Sequence, residues 1–279
     1  MALHSVRLFV TDVDGTLLNS EKQLTGATCD AIRALERKQI QLSLVSHRPL
    51  QGLKGVLDAL DLRCICVALN GGLIADREFR AISEKHLRPT IVQEIVGIIE
   101  HHHFDPWIYT RDEWYVPRLT GAHVQRESEI VDMAPIIFES LGEISGPVIK
   151  IAAVNDSDSE IQACEDRLRS QLENHLTISR PAANHLDITH REANKGTAVI
   201  SLARMLGIPL TETAAAGDGE NDIAMFRVAG RSIAMGQAPA EVHRAATDTT
   251  IPNSQDGLAW AIRHLILGEQ GEADAGVDL

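Results

Sequence analysis

Two rhythms of apolar and polar positions divide the 279-residue chain into three stretches. In the first, residues 6–10 form a short apolar run without strict alternation, closed by Thr11-Asp12. Such a run suits a strand covered on both faces of a parallel sheet. A helix is expected next. Thr25 is its N-cap, Ala27, Ile32 and Leu35 recur at helical spacing, and Arg37-Lys38 supply a basic end. Residues 40–45 read as a second strand, 51–60 as a helix and 64–69 as a third strand. This alternation predicts βαβ crossovers.

The middle changes character. Ile91, Ile95, Ile98 and Ile99 form one stripe of a helix over 89–102, and two strand-like pieces, 107–110 and 114–117, flank a polar turn. After a poorly patterned stretch come a strand at 148–154, a helix at 158–174 and strands near 176–179 and 185–189. The βα rhythm then resumes: helix 195–206, apolar run 213–216, helix 221–229, strand 232–235, and helices 239–246 and 257–267. The predicted organisation is an α/β core of residues 1–82 and 188–279, interrupted by an α+β insert of residues 83–187. The last twelve residues carry four acids and no base and read as a solvated tail.

Composition narrows the chemistry. The net charge of −13 repels a phosphate backbone, so no nucleic acid is expected as main partner, while a local site for a small anion stays open. No run approaches the ~20 apolar residues of a bilayer span. Residues 1–5 lack the pattern of a secretory signal. A soluble, cytoplasmic protein with no membrane partner is expected. Cys29, Cys64, Cys66 and Cys164 match neither a zinc knuckle nor a disulfide framework.

Unusual polar residues gather at four strand ends, where open parallel sheets carry their ligand sites. The first cluster is Asp12-Val13-Asp14-Gly15-Thr16. Asp12 and Asp14 are two apart, so an extended backbone points both carboxylates the same way, and they repel unless a cation or a proton intervenes. An Asp-Gly turn with solvated acids would also fit. The second, Ser46-His47-Arg48, offers a hydroxyl and backbone N–H groups suited to an anion or to capping the next helix. The third, Asn70-Gly71-Gly72, shapes the loop towards the insert. The fourth, residues 217–222 (Gly-Asp-Gly-Glu-Asn-Asp), crowds acids and an amide at a helix start, more than a cap requires. Lys195 also stands at a helix start, where the macrodipole disfavours a cation unless an anion lies close. Jointly, Asp12, Asp14 and Asp218 offer hard oxygens for Mg²⁺, and Ser46, Lys195 and Asn221 offer donors for a phosphate.

Read in this order, the four clusters resemble motifs I to IV of the haloacid dehalogenase superfamily. Asn70-Gly71-Gly72, residues 235–238 (Met-Gly-Gln-Ala) and residues 253–257 (Asn-Ser-Gln-Asp-Gly) are similar to its Cof-type subfamily, whose cap is an α+β insert of the C2B kind. The resemblance implies a Rossmann-like three-layer sandwich core with that cap closing over the site. It further implies that Asp12 attacks phosphorus and ligates Mg²⁺, and that Asp14 serves as acid and base and lends its carbonyl to the metal. Ser46 and the N–H of His47 would hold phosphate, and Lys195 would bridge Asp12 and phosphate. Asp218 would complete the metal site, Asn221 would contact phosphate and Asp222 would orient the metal's water shell. His47 departs from the Thr-Gly-Arg run usual in the subfamily; its imidazole would either add a titratable donor near neutral pH or narrow the pocket.

Other features carry less. His101-His102-His103 point in different directions and suit a solvated helix end. Arg111 and Trp114, in the insert's polar turn, are candidate specificity residues or an ordinary hairpin. Residues 184–187 are a hinge candidate. The expected activity, by resemblance, is Mg²⁺-dependent hydrolysis of a small phosphorylated metabolite, with sugar phosphates leading. A phosphomutase or phosphotransferase is the alternative, and a non-catalytic phosphometabolite-binding protein a more distant one.

Overall fold

The computed structural model describes residues 5–121, 123–182 and 184–269. The core opens with strand β1 (Leu8–Thr11), helix α1 (Gly26–Arg37), β2 (Gln41–Val45), α2 (Gln51–Leu60) and β3 (Cys66–Ala68). Thr25 accepts the Thr28 N–H as the expected N-cap of α1. Two short strands, β4 (Leu73–Ala75) and β5 (Ala81–Glu84), follow and pair antiparallel to β3 and to each other. The pattern did not predict them, because three or four residues are too few to display a period.

The insert comprises α3 (Pro89–His101), β6 (Pro106–Tyr109), β7 (Trp114–Val116), α4 (Val124–Val131), β8 (Ile136–Ile137), β9 (Lys150–Val154), α5 (Asp158–Leu172), β10 (Leu176–Ala182) and β11 (His185–His190). The chain then returns through α6 (Lys195–Leu206), β12 (Thr213–Gly217), α7 (Ile223–Phe226), β13 (Arg231–Ala234), α8 (Ala240–Ala245), β14 (Asp248–Thr249) and α9 (Gly257–Ala261). The core sheet runs β14-β13-β12-β1-β2-β3-β4-β5, parallel up to β3. Side chains alternate across it. Phe9, Leu42, Leu44 and Ala214 pack on one face with α1, α2 and α9, while Leu8, Val10, Val45 and Ala215 pack on the other with α6, α7 and α8. This is the expected three-layer α/β sandwich.

The cap sheet runs β10-β11-β9-β6-β7-β8. Its Ile108, Ile151, Leu186 and Ile188 pack on α3 and α5, and its Trp107, Tyr109, Trp114 and Ala152 pack toward the core domain. β5 belongs to the core sheet up to Glu84 and β11 to the cap sheet up to His190, so the crossings fall a few residues beyond 82 and 187. Residues 185–187 are therefore not a hinge, because β11 is ladder-paired on both sides, to β9 and β10.

Two helices differ from expectation. Residues 221–229 become a 3₁₀ turn at Glu220–Asp222 and a four-residue α7, since the Asp222 carboxylate captures N–H groups at the turn. The final helix passes after Ala261 into a π turn, Ile262–Ile266, where Arg231 takes the Leu265 carbonyl. The histidine run closes α3 as a helix end. Cys64 and Cys66 are buried and free. The tail from 270 onward and the first four residues lie outside the described residues.

Between β3 and β4, Leu69, Asn70 and Gly71 all take positive φ (52°, 55° and 97°). A Cβ on Gly71 would meet the Asn194 carbonyl oxygen at 2.6 Å. Gly71→Ala is therefore expected to cost about 2 kcal/mol or more in urea unfolding; a loss below ~0.5 kcal/mol, the scatter of neutral surface changes, would contradict the close approach.

Candidate active site

The ends of β1, β2, β3 and β12 and the start of α6 converge. Gly15 turns the chain after β1 with φ +85°, and a Cβ there would lie 2.2 Å from Asp218 Oδ2. Glycine is thus required twice, by the turn and by the neighbouring carboxylate. At the end of β12, a Cβ on Gly217 would collide with the Asp222 carboxyl at 2.4 Å, so glycine lets Asp222 tuck under the strand. Asp222 Oδ2 accepts the N–H groups of Asp218 and Gly219, both at 2.9 Å. Asn194 caps α6, accepting the Thr197 N–H, which fixes Lys195 at the first turn.

Lys195 is fully buried, with Nζ 2.6 Å from Asp12 Oδ1 and 2.6 Å from Asp222 Oδ1. Burial alone would lower the ammonium, but the two carboxylates reverse that and raise it above its usual range. Burial raises the Asp12 carboxyl well above its ordinary value, with Asp222 and Asp218 adding repulsion against the pull of Lys195. Asp218, bonded by Thr16 Oγ1 at 3.0 Å, is pushed up to about 6 by burial and by Asp222. Gln237 reaches the same corner, donating to the Gly15 carbonyl at 2.7 Å.

One ammonium faces three carboxyl groups, and the raised Asp12 and Asp218 carboxyls mark a site short of positive charge. Oxygens of Asp12, Asp218 and Asp222 lie within 4.8 Å of one another, so the donor set fits a divalent cation. Both oxygens of Asp222 are already engaged, by Lys195 and by the two N–H groups, which leaves Asp12 and Asp218 as the freer ligands.

The anion-binding candidates line the same region. Ser46 is buried, and its Oγ accepts the Arg48 N–H at 3.1 Å, which leaves the hydroxyl proton to donate. The His47 N–H has no partner among the described residues, and its φ is not positive, so the backbone carries this side chain without strain. The imidazole, whose rim still reaches solvent, is pushed down to about 3, chiefly by desolvation and against the pull of Asp14. It is neutral at pH 7 rather than a donor titrating there. Asn221 Nδ2 donates to Asn70 Oδ1 at 3.1 Å.

Asp14 meets groups that sequence reasoning had not assigned. Arg48 binds it through Nε and Nη2 at 2.7 and 2.6 Å, and Lys22 at 2.7 Å. Burial opposes ionisation, but the Arg48 hydrogen bonds and the charges of Arg48 and Lys22 hold the carboxyl well below the usual range. Arg48 also donates to the Ile130 carbonyl of α4, tying this pair to the cap. A second link is buried. Lys150 Nζ sits 3.0 Å from the His47 carbonyl and 3.2 Å from Asp187 Oδ2, which accepts Asn70 Nδ2 at 2.7 Å. Lone charges inside the apolar strands 148–154 and 185–189 were the available signal. Of the cap candidates, Arg111 pairs with Glu84 and is half exposed, whereas Trp114 is buried, stacked on Tyr109 with centroids 5.8 Å apart.

Replacing Lys195 by Met would strand two buried carboxylates and is expected to cost about 3–5 kcal/mol of stability. A millimolar divalent cation should raise the wild-type Tm by ~2 °C or more over chelator-treated protein. Asp218→Asn should abolish that rise; an equal rise in the variant would remove Asp218 from the metal site.

Residues 9–262 match the family model of haloacid dehalogenase-like hydrolases. The chain is 25% identical to the phosphatase YwpJ of Bacillus subtilis (strain 168), over 94% of this chain and all of that protein. It is 28% identical to the 5-amino-6-(5-phospho-D-ribitylamino)uracil phosphatase YcsE of the same organism, over 94% of this chain and 96% of that one. Among solved structures it is similar to the haloacid dehalogenase subclass IIB sugar phosphatase BT4131. The TM-score is 0.81 at 24% identity, covering 93% of this chain and 99% of the other. With the four strand-end clusters folded into one site, the chain belongs to the haloacid dehalogenase family as a Cof-type phosphatase.

Proposed function

We propose that the chain is a Mg²⁺-dependent phosphatase of small phosphomonoesters, with sugar phosphates as the leading class, working through an aspartyl-phosphate on Asp12. The observation that carries this reading is the placement of Lys195 Nζ at 2.6 Å from both Asp12 and Asp222, beside Asp218. Asp12 is the nucleophile, its Oδ attacking phosphorus in line with the leaving oxygen. Lys195 offsets the repulsion between that carboxylate and the phosphate. The Ser46 hydroxyl, the His47 N–H and Asn221 hold the remaining phosphate oxygens. Mg²⁺, which prefers a few carboxylates and waters, would be held by Asp12, Asp218 and the Asp14 carbonyl, with Asp222 orienting its surroundings, and would supply charge stabilisation at the phosphate.

Asp14 returns a proton to the leaving alcohol and then takes one from the water that hydrolyses the acyl phosphate. The pair with Arg48 and Lys22 keeps it ionised, the state the second half-reaction needs. Donation in the first half-reaction requires Asp14 to leave that pair. YcsE acts on a phosphorylated ribitylaminopyrimidine and BT4131 is a sugar phosphatase; both names support a phosphorylated polyhydroxy substrate here.

Phosphate release from sugar, polyol, nucleoside and aryl phosphates should require Mg²⁺, stop with chelator, and fall at least ~10³-fold in Asp12→Asn. Appearance of an isomeric phosphate in place of inorganic phosphate would assign a mutase. Unchanged ligand binding with no turnover, by wild type as well as Asp12→Asn, would assign a binding protein.

A further inference from the structure

Lys150 and Asp187 form an ion pair in the cap sheet with 1% or less of either side chain exposed. Taking two charges out of water is costly, and an apolar pair of similar volume is often as stable or more so. Joining the two strands does not explain the choice. β9 and β11 already share a ladder that sets Ile151 against Ile188 and Ala153 against Leu186.

What sets the pair apart is where its other bonds go, for both leave the cap. Lys150 Nζ lies 3.1 Å from Asp187 Oδ1 and 3.2 Å from Oδ2, and it donates to the His47 carbonyl at 3.0 Å. That carbonyl and the Arg48 N–H belong to one planar peptide unit. The Arg48 N–H donates to Ser46 Oγ at 3.1 Å. Turning the carbonyl toward the ammonium therefore turns the N–H toward Ser46, whose hydroxyl proton stays free to donate to an anion. On the other arm, Asp187 Oδ2 accepts Asn70 Nδ2 at 2.7 Å, and Asn70 Oδ1 accepts Asn221 Nδ2 at 3.1 Å. A carboxylate on the nitrogen side of an amide decides that its oxygen is offered on the other side. Asn221 is thereby fixed through one amide proton and keeps the second for a phosphate oxygen. The Asn70 N–H joins the two arms, donating to the Ser46 carbonyl at 2.9 Å.

We propose that Lys150 and Asp187 are positioning residues for the phosphate site: a buried ion pair of the cap that aims the Ser46 hydroxyl through the His47–Arg48 peptide and the Asn221 amide through Asn70. This rests on the phosphatase reading and adds a condition to it. The two donors are aligned only while the cap sits on the core, so phosphate affinity and cap closure are linked. Each strengthens the other by the same factor. The pair acts on the donors that hold phosphate and makes no contact with the leaving alcohol, so it serves every phosphomonoester alike.

Replacing both partners, Lys150→Met with Asp187→Leu, separates positioning from packing, because the apolar pair keeps the volume and strands no charge. This double variant should melt within ~4 °C of wild type or above it. Its kcat/KM in Mg²⁺ should nevertheless fall at least ~30-fold, by factors that agree within ~3-fold for a sugar phosphate and for phenyl phosphate. The Tm rise that inorganic phosphate gives in Mg²⁺ should shrink by at least half. Ser46→Ala should cost ~10-fold or more in wild type but less than ~3-fold in the double variant, where the hydroxyl is already unaimed. Asn70→Gly serves if the double variant does not fold or melts lower, since glycine keeps the left-handed backbone and removes the amide. It should lower kcat/KM at least ~10-fold on both substrates, and Asn221→Ala should then add less than ~3-fold. Undiminished kcat/KM, a loss confined to one substrate, or full additivity with Ser46→Ala or Asn221→Ala would overturn the assignment and leave the phosphatase reading standing. A wild type that neither releases phosphate nor melts higher with it would remove both.

Discussion

A single buried ammonium organises this molecule. Lys195 can stay charged with no solvent contact because two carboxyl groups from different strand ends reach it. Those two contacts bind β1, α6 and the loop after β12 into one unit. They also leave the unit short of positive charge. The deficit, rather than any single residue, makes the site a receptor for a divalent cation and explains why three acids are tolerated at one sheet edge.

Much of this was legible in the sequence because it lies in local anomalies. Asp12 and Asp14 closing an apolar run, a lysine at the wrong end of a helix, and a crowded Gly-Asp-Gly-Glu-Asn-Asp turn each cost something unless a ligand answers. The parallel core, the insert and the β6–β7 pair followed from periodicity alone. What escaped had either too short a period or too distant a partner. β4 and β8 are three and two residues long, and α4 hides behind the polar run from Gln125 to Glu129. Lys150 and Asp187 are charges inside strands, a signal the sequence reading did not take up, and nothing in the sequence says that they meet each other, or that they lie against His47 and Asn70. The burial of Trp114 was equally invisible, since a residue flanking a polar turn reads as exposed until the sheet above it is known.

The two halves are joined by chemistry of different kinds. Within each, apolar side chains interlock; between them, aromatic rings share the boundary with a few charged and amide contacts. Polar contacts of this sort exchange readily with water, whereas a packed core does not. Asn70 is the most exposed to that exchange in its consequences, because its two amide atoms serve Asn221 on one side and Asp187 on the other. Its left-handed backbone holds the amide where both can be reached.

Strand β12, beside β1 in the core sheet, has the opposite character. Between Thr213 and Gly217, β12 presents methyl groups to the layers on either side, Ala214 and Ala216 to one and Ala215 to the other, while its neighbour β1 supplies the bulk at the paired positions. A strand without long side chains has no rotamers to change and no slack to give up. The floor beneath Asp218 is in that sense an anvil, its position set by the backbone ladders to β1 and β13 on either side.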